Sequence, residues 1–154
     1  MTHGFPSHDA DDAVLSILRE LVEHGADINL RGYMGRTALM WAALDDRPDI
    51  ALYLIGRGAK IDSRDDFGET ALTLATGCTS TVMQALLSKG ANINSVDFKG
   101  DTALMSAVGS SNATMVRFLL SHGARVGIRN ENGDTAADWS GNPEIIRMLR
   151  RGRE

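Results

Sequence analysis

The chain has 154 residues, a net charge of −4 and 43% apolar residues. This length fits one domain, and the apolar share is enough to build a core, which argues against wholesale disorder. The acidic balance argues against a nucleic-acid-binding protein, because such proteins carry a concentrated basic patch. The longest apolar run is the short stretch 38–44. Because a membrane-spanning helix needs about 20 apolar residues, we predict that the chain does not enter a membrane.

The first residues, MTHGFPSHDADD, lack the basic start and the apolar stretch of a signal peptide. The single cysteine, Cys78, excludes an internal disulfide and favours a reducing compartment. Together these features predict a cytoplasmic protein, with a signal sequence already removed as the alternative. We expect residues 1–11 to form a flexible arm and residues 12–154 to form the folded domain.

Two short motifs recur in phase along the chain. Gly-x-Thr-Ala begins at Gly35, Gly68, Gly100 and Gly133, and Gly-Ala begins at Gly25, Gly58, Gly90 and Gly123. Both series have intervals of 33, 32 and 33 residues. A fixed period of this length is typical of a solenoid built from repeated helical units. We assign the units to residues 12–31, 32–64, 65–96, 97–129 and 130–154.

Each unit reads as a turn, a first helix, a second turn and a second helix. In the second unit Thr37 is placed to cap the first helix through its hydroxyl oxygen. Pro48 suits the first turn of the second helix, and Gly58 can end that helix in a left-handed conformation. The unit that begins near Asp65 is one residue short around residues 78–80, which predicts a different turn between its helices.

The two terminal units are expected to act as partial caps. The first keeps only a second helix, at about residues 12–23, and the alternative is a fuller repeat that was trimmed away. The last has a shortened connection at residues 140–143. Its second helix carries Arg150 where inner units carry Leu or Ile, which suits a face without a further neighbour.

These motifs resemble the ankyrin repeat family. The third complete unit shows the resemblance best, with DFKGDTALMSA from Asp97 and LLSHGA from Leu119. The resemblance, which runs from about Asp12 to the C-terminus, implies an all-α ankyrin-repeat solenoid of stacked helix-turn-helix units joined by β-turn or hairpin loops. The family's His is replaced by Met40, Thr73, Met105 and Asp138, so its hydrogen bonds should be missing or rebuilt. The family's Pro is replaced by Ala38, Ala71, Ala103 and Ala136, which a helix tolerates.

No arrangement of residues in the sequence predicts catalysis, a cofactor or a metal. His24 and His122 lie just before the terminating glycine of different units, where a cation near a helix C-terminus explains them better than a metal pair. Cys78 has no histidine nearby in sequence, so we interpret it as a buried or half-buried thiol. The acidic pairs 45–46 and 65–66 are interpreted as solvated turn carboxylates.

The resemblance also implies that a partner contacts the turn tips and the exposed edges of the first helices. Tyr33, Phe67 and Phe98 are either binding anchors or rings that fold back onto the neighbouring turn. The small residues Gly77, Cys78, Gly109 and Ser110 are expected to leave a groove open. The predicted protein-binding residues are Tyr33, Met34, Arg36, Leu44, Asp45, Asp66, Phe67, Glu69, Cys78, Phe98, Lys99, Asp101, Ser110, Glu131 and Asp134.

The later turns are rich in carboxylates, which predicts a partner protein with a basic or mixed basic and apolar surface. We therefore predict a non-enzymatic adaptor or inhibitor that binds another protein, is monomeric when free, and binds neither nucleic acid nor a membrane. A bacterial immunity or antitoxin protein is one option within this class. A fragment with a structural or regulatory role inside a larger protein is the alternative function.

Overall fold

The computed structural model describes residues 7–77 and 80–152, with side chains described for residues 12–77 and 81–152. Within these ranges the chain folds into eight α-helices without a strand, apart from one isolated antiparallel bridge between Val96 and Thr102. The helices are α1 (Ser7–Glu23), α2 (Ala38–Leu44), α3 (Pro48–Gly56), α4 (Ala71–Leu74), α5 (Ser80–Ser88), α6 (Ala103–Gly109), α7 (Ala113–Ser121) and α8 (Pro143–Arg151). Short 3-10 helices cover Tyr33–Gly35, Ala75–Gly77 and Ala136–Trp139.

The helices stack in two layers, as the repeat predicts. The first helices α2, α4 and α6 and the 3-10 helix Ala136–Trp139 pack one after another. The second helices pack behind them, α3 against α5 and α7 against α8. A continuous apolar core fills the space between the layers and includes Leu39, Leu54, Leu86, Leu119 and Leu149. The predicted all-α solenoid is therefore confirmed.

Threonine caps three of the first helices in the predicted way. The Oγ1 atoms of Thr37, Thr70 and Thr102 accept hydrogen bonds from the backbone N–H three residues later, at donor–acceptor distances of 3.4, 3.3 and 3.2 Å. Thr135 differs, because its hydroxyl donates to the carboxylate of Asp138 at 2.8 Å. In the last unit the threonine hydroxyl thus binds an acidic side chain, whereas in the other three it binds a backbone N–H of the helix.

The residues that replace the family's histidine rebuild its hydrogen bonds in three units. The Thr70 N–H donates to Thr73 Oγ1 at 2.7 Å, and that hydroxyl donates to Thr70 O at 2.8 Å. The Thr135 N–H donates to Asp138 at 2.7 Å, and the Thr37 N–H reaches the Met40 sulfur at 3.4 Å. Of the two expected outcomes, missing or rebuilt hydrogen bonds, the structure shows rebuilt bonds in these three units.

Glycine ends the second helices because the backbone there turns left-handed. Gly58 has φ of +85°, its N–H donates to Ile55 O, and the next N–H, of Ala59, donates to Leu54 O. The rings of His24 and His122 precede the equivalent glycines, and each Nδ1 lies 2.7 or 2.8 Å from the carbonyl oxygen four residues earlier. These contacts fit the helix-end role expected for the two histidines.

Two sequence predictions concern the ends and turns of the units. Helix α1 begins at Ser7, within the stretch 1–11 for which a flexible arm is predicted, and residues 1–6 lie outside the described structure, so the arm remains a prediction. In the short unit α4 has only four residues and tightens into the 3-10 helix Ala75–Gly77. The different turn predicted around residues 78–80 remains a prediction, because residues 78 and 79, and with them Cys78, lie outside the described residues.

In the part of the chain that the structure describes, none of the helices is long and apolar enough to cross a lipid bilayer. The unit boundaries and the cytoplasmic location remain predictions.

Candidate protein-binding site

Backbone hydrogen bonds join neighbouring turns into a continuous ribbon. In each pair, a residue near the tip of one turn donates its N–H to a carbonyl oxygen of the preceding turn, at 2.8 to 3.0 Å. The bonds run from Asp66 to Met34, from Phe98 to Phe67 and from Glu131 to Lys99. Because the turns hold each other, side chains at their tips are presented at fixed spacing.

A carboxylate or amide organises each of three turns from within; it is buried at Asp65 and Asn130 and half-buried at Asp97. Asp65 Oδ1 accepts the N–H groups of Phe67 and Glu69, both at 2.9 Å, and Asp97 and Asn130 do the same in the next two turns. Asp65 is only 2% exposed. The interpretation of the 65–66 pair as solvated is therefore wrong for Asp65, whereas Asp66 is exposed and lies 2.9 Å from Arg31.

Arg36 ties the first turn to the second. Its Nε lies 3.1 Å from Asp65 Oδ2, and a terminal guanidinium nitrogen lies 3.2 Å from Glu69 Oε2. The guanidinium carbon also lies 5.1 Å from the ring centre of Trp41. Because most of the Arg36 side chain is buried in these contacts, its predicted contact with a partner is restricted to a small exposed edge.

The carboxyl group of Glu69 is half-buried and lies near the carboxylates of Asp65 and Asp97. Burial raises the pKa of this carboxyl above its usual value, repulsion by Asp65 and Asp97 raises it further, and the nearby Arg36 opposes the rise. A carboxylate in this situation gains from any additional positive charge placed beside it. The electrostatics of this part of the ribbon therefore favour a cationic group on a bound molecule.

The three aromatic residues of the turns are exposed despite their apolar character. Tyr33 is 74%, Phe67 51% and Phe98 62% exposed. Phe98 also folds partly back onto the preceding turn, because a Cβ atom added to Gly68 would lie 2.7 Å from the ring atom Cδ1. The Phe98 ring thus packs on Gly68, as expected for a ring that folds back onto the neighbouring turn. All three rings also keep a large exposed surface, as expected for binding anchors.

These turns enclose a shallow, mostly apolar groove of about 480 Å³. Apolar walls come from Met34, Phe67 and Phe98, and charged groups stand at the edges. The charged lining residues are Arg36, Asp66, Glu69, Asp97 and Lys99. Seven of the residues predicted to bind a partner line this groove, and Asp97 lines it although it is not among the predicted binding residues.

Among the described residues, the other predicted binding residues do not line this groove, and the exposed Tyr33 is one of them; Cys78 lies outside the described residues. Leu44 and Asp45 are exposed at the end of α2, and Asp101, Glu131 and Asp134 belong to later turns. Asp101 is already engaged, since Asn130 donates its side-chain N–H to Asp101 at 2.8 Å. Ser110 donates its hydroxyl to the carbonyl groups of Ser106 and Ala107.

Trp139 fills the place where sequence analysis expected an open groove beside Gly109. Its ring lies against Gly109, because an added Cβ would be 3.1 Å from the ring atom Cε3. Trp41 and Trp139 occupy the same position of their units, four residues after the capping threonine. This equivalence was available in the sequence, and comparing the tryptophans across units would have placed both rings on the first-helix edge.

The family model described as "Ankyrin repeats (3 copies)" matches residues 10–65, 55–130 and 80–153 of this chain. The chain belongs to the ankyrin repeat family. Ankyrin repeats generally mediate protein–protein interaction, which agrees with the side chains that this ribbon presents.

Similar proteins carry the repeats within longer chains. The chain is 35% identical over 142 residues to the putative palmitoyltransferase ZDHHC13 of Danio rerio, a match covering 88% of this chain and 22% of that protein. It is 46% identical over 55 residues to protein phosphatase 1 regulatory subunit 27 of Homo sapiens, covering 36% of each. It is 33% identical over 143 residues to the ankyrin repeat domain-containing protein SAT10 of Stachybotrys chartarum, covering 90% of this chain and 7% of that protein. The chain thus spans about a third or less of the length of these relatives.

Proposed function

We propose that this protein is a non-enzymatic adaptor or inhibitor that binds a partner protein along the turn ribbon. The observation that carries the proposal is the groove of about 480 Å³ between Met34, Phe67 and Phe98, with carboxylates at its edge. Exposed aromatic side chains on a rigid backbone are the residues that most often dominate the energy of an interface. A ribbon fixed by hydrogen bonds also loses little freedom when a partner binds.

The chemistry of the groove defines the partner segment. An apolar side chain fits between the rings of Phe67 and Phe98, and a Lys or Arg next to it reaches Glu69 and Asp97. The raised pKa of Glu69 supports this arrangement, because a cation from the partner would relieve the repulsion around that carboxylate. We therefore expect a partner segment that alternates basic and apolar residues.

A selection from a random peptide library, displayed on phage and panned against the immobilised protein, tests this proposal. Selected peptides are expected to pair Lys or Arg with a large apolar residue. Their affinity should fall about 30-fold in Phe67→Ala, as for a residue that dominates an interface. Leu52→Ala is the matched control, because Leu52 is equally exposed, at 50%, but lies on α3 away from the turns.

One kind of result would contradict the whole proposal, and another would contradict only its electrostatic part. Peptides that bind Phe67→Ala and Phe98→Ala as tightly as the original protein, while circular dichroism shows both variants folded, would place the binding site elsewhere. Peptides without basic residues, or an affinity that does not change with salt concentration, would contradict the electrostatic part alone.

The alternative is a regulatory segment of a larger protein, which the small share of each relative covered by this chain favours. In that case the groove would be occupied by another part of the same polypeptide. Limited proteolysis of the natural full-length product, followed by mass spectrometry, distinguishes the two functions. A product that ends near residue 154 and still binds the selected peptides favours the adaptor. No residue described above favours an immunity protein over a general adaptor.

A further inference from the structure

The groove of the turn ribbon carries a lysine at a position that is otherwise apolar. Lys99 is exposed and lines the groove next to Phe98. It stands directly before the turn glycine of its unit, and the same position in the two preceding turns is occupied by Met34 and Phe67. Both of these residues also line the groove. The repeat therefore places the Lys99 side chain where the neighbouring units supply an apolar wall.

The other charged side chains that line the groove already have partners within the protein. Asp66 lies 2.9 Å from Arg31, and Glu69 lies 3.2 Å from Arg36. Asp97 Oδ1 accepts two backbone N–H groups of its own turn, both at 2.8 Å. Three carboxylates and one guanidinium group of the groove are thus held in contacts that form without a bound molecule.

Lys99 differs from them, because its ammonium group has no hydrogen-bond or ion-pair partner among the described residues. It also leaves the carboxylate of Glu69 alone. Burial changes the pKa of Glu69 most, followed by the charges of three side chains, which are Asp65, Arg36 and Asp97. Since Lys99 is not one of them, its ammonium group and the Glu69 carboxylate are two separate charged points of one groove.

Two separate charges of opposite sign make the groove directional. A segment with only basic residues is attracted by Glu69 but brings a like charge towards Lys99, and like charges placed together across an interface cost affinity. A segment that also has an acidic residue, at the right spacing from the basic one, is attracted at both points. Pairs of opposite charge fix the register of a complex, because a shift along the groove breaks both pairs at once.

We propose that the partner segment carries an acidic residue that pairs with Lys99, in addition to the basic residue beside Glu69 and the apolar residue between the rings of Phe67 and Phe98. Lys99 is then a specificity-determining residue, which sets the register of the partner and selects against segments that are basic throughout. This inference rests on the proposed binding of a partner protein in the groove, and it adds the second charge that the partner must carry.

The random peptide library tests this inference when it is panned in parallel against the original protein and against Lys99→Glu. Peptides selected on the original protein are expected to carry Asp or Glu at a constant spacing from the Lys or Arg. Peptides selected on Lys99→Glu should carry a basic residue at that spacing instead. Lys89→Glu is the matched control, because Lys89 is also exposed and its reversal changes the net charge equally, but it follows α5 and lies away from the turns.

A charge-reversal cycle with one selected peptide then measures the pair itself. Changing the acidic residue of the peptide to Lys, or making Lys99→Glu in the protein, should each weaken binding about fivefold, the upper range for an ion pair exposed to solvent. Combining the two changes exchanges the charges, so the affinity should return to within about twofold of the original. Lys99→Gln removes the charge without reversing it and should weaken binding less than Lys99→Glu. Isothermal titration calorimetry at low salt gives the dissociation constants, and circular dichroism checks that each variant is folded.

Three results would overturn the inference. The first is a set of selected peptides without a preferred position for an acidic residue. The second is a loss of affinity in Lys99→Glu that the reversed peptide does not restore. The third is an equal loss in Lys89→Glu, because the effect would then come from the net charge. The proposed function survives all three as long as Phe67→Ala still weakens binding, whereas a library that yields no binding peptide contradicts the proposed function and this inference together.

Discussion

The two ends of the stack differ in how far their apolar side chains are buried. At the C-terminal end α8 buries Ile145 and Leu149 and turns Arg147, Arg150 and Arg151 outward. At the N-terminal end α1 leaves Ile17 and Leu21 half exposed or more. A solenoid remains soluble as a single unit when its last repeat has a polar outer face, and α8 has that character. Helix α1 lacks a polar outer face on the side that carries Ile17 and Leu21.

Side chains at the first-helix position explain why only one end is closed. In the last unit the 3-10 helix Ala136–Trp139 stands where a first helix would be, Asp138 caps it, and Trp139 covers Gly109. In the first unit the described residues form one long helix, α1, and include no first helix beside it. The comparison indicates that a first helix, even a short one, is needed to cover the apolar side chains of a terminal second helix.

The largest expected effect is at the closed end. Leu149→Ala removes a side chain that is 1% exposed and leaves a cavity between α8 and the core. The free energy of unfolding should fall by about 2–5 kcal/mol. Urea unfolding followed by circular dichroism measures it. A loss of less than about 1 kcal/mol would show that α8 contributes little to the stack and that the closed end is not a true cap.

A smaller loss is expected for Asp138→Ala. Its carboxylate accepts hydrogen bonds from the N–H and the hydroxyl of Thr135, at 2.7 and 2.8 Å. Losing this cap should cost about 1–2 kcal/mol in urea unfolding. Asp138→Asn keeps an acceptor oxygen and serves as the control, so it should lose less than Asp138→Ala. Equal losses would mean that the negative charge, and not the hydrogen bonding, stabilises this end.

The open end should respond weakly to the change that is most harmful at the closed end. Leu21→Ala affects the position equivalent to Leu149, but half of the Leu21 side chain already faces solvent. The free energy of unfolding should therefore fall by less than about 1 kcal/mol. The same urea titration checks this, and a loss as large as that of Leu149→Ala would show that Leu21 is buried in solution.

The smallest expected effect lies between the two ends, at Glu69. Because burial and neighbouring carboxylates raise its pKa in the folded state, its ionisation costs stability as the pH rises above the unfolded value of about 4.5. Glu69→Gln should thus raise the urea midpoint slightly at pH 7. The difference should vanish near pH 4, where the carboxyl is largely protonated in both states. A variant that is less stable at pH 7 would show that the ion pair with Arg36 outweighs the repulsion.

Sequence reasoning located part of the candidate site because the site is made of turn tips. The repeat period put Tyr33, Phe67 and Phe98 at consecutive turns, and the structure shows all three exposed. It did not show that Arg36 is largely enclosed by Asp65, Glu69 and Trp41, since these contacts depend on how far a side chain reaches across two units. The binding role of these residues remains a proposal.

The sequence by itself determined the order and type of the helices, the threonine caps and the left-handed glycines. Each depends on interactions within a few residues or on a repeat period of 33, 32 and 33. Only the tertiary structure decided the burial of Asp65, the place of the Trp139 ring on Gly109 and the exposure of Ile17 and Leu21. These depend on neighbouring units, because the same residue type at the same repeat position is buried when a first helix covers it and exposed when none does.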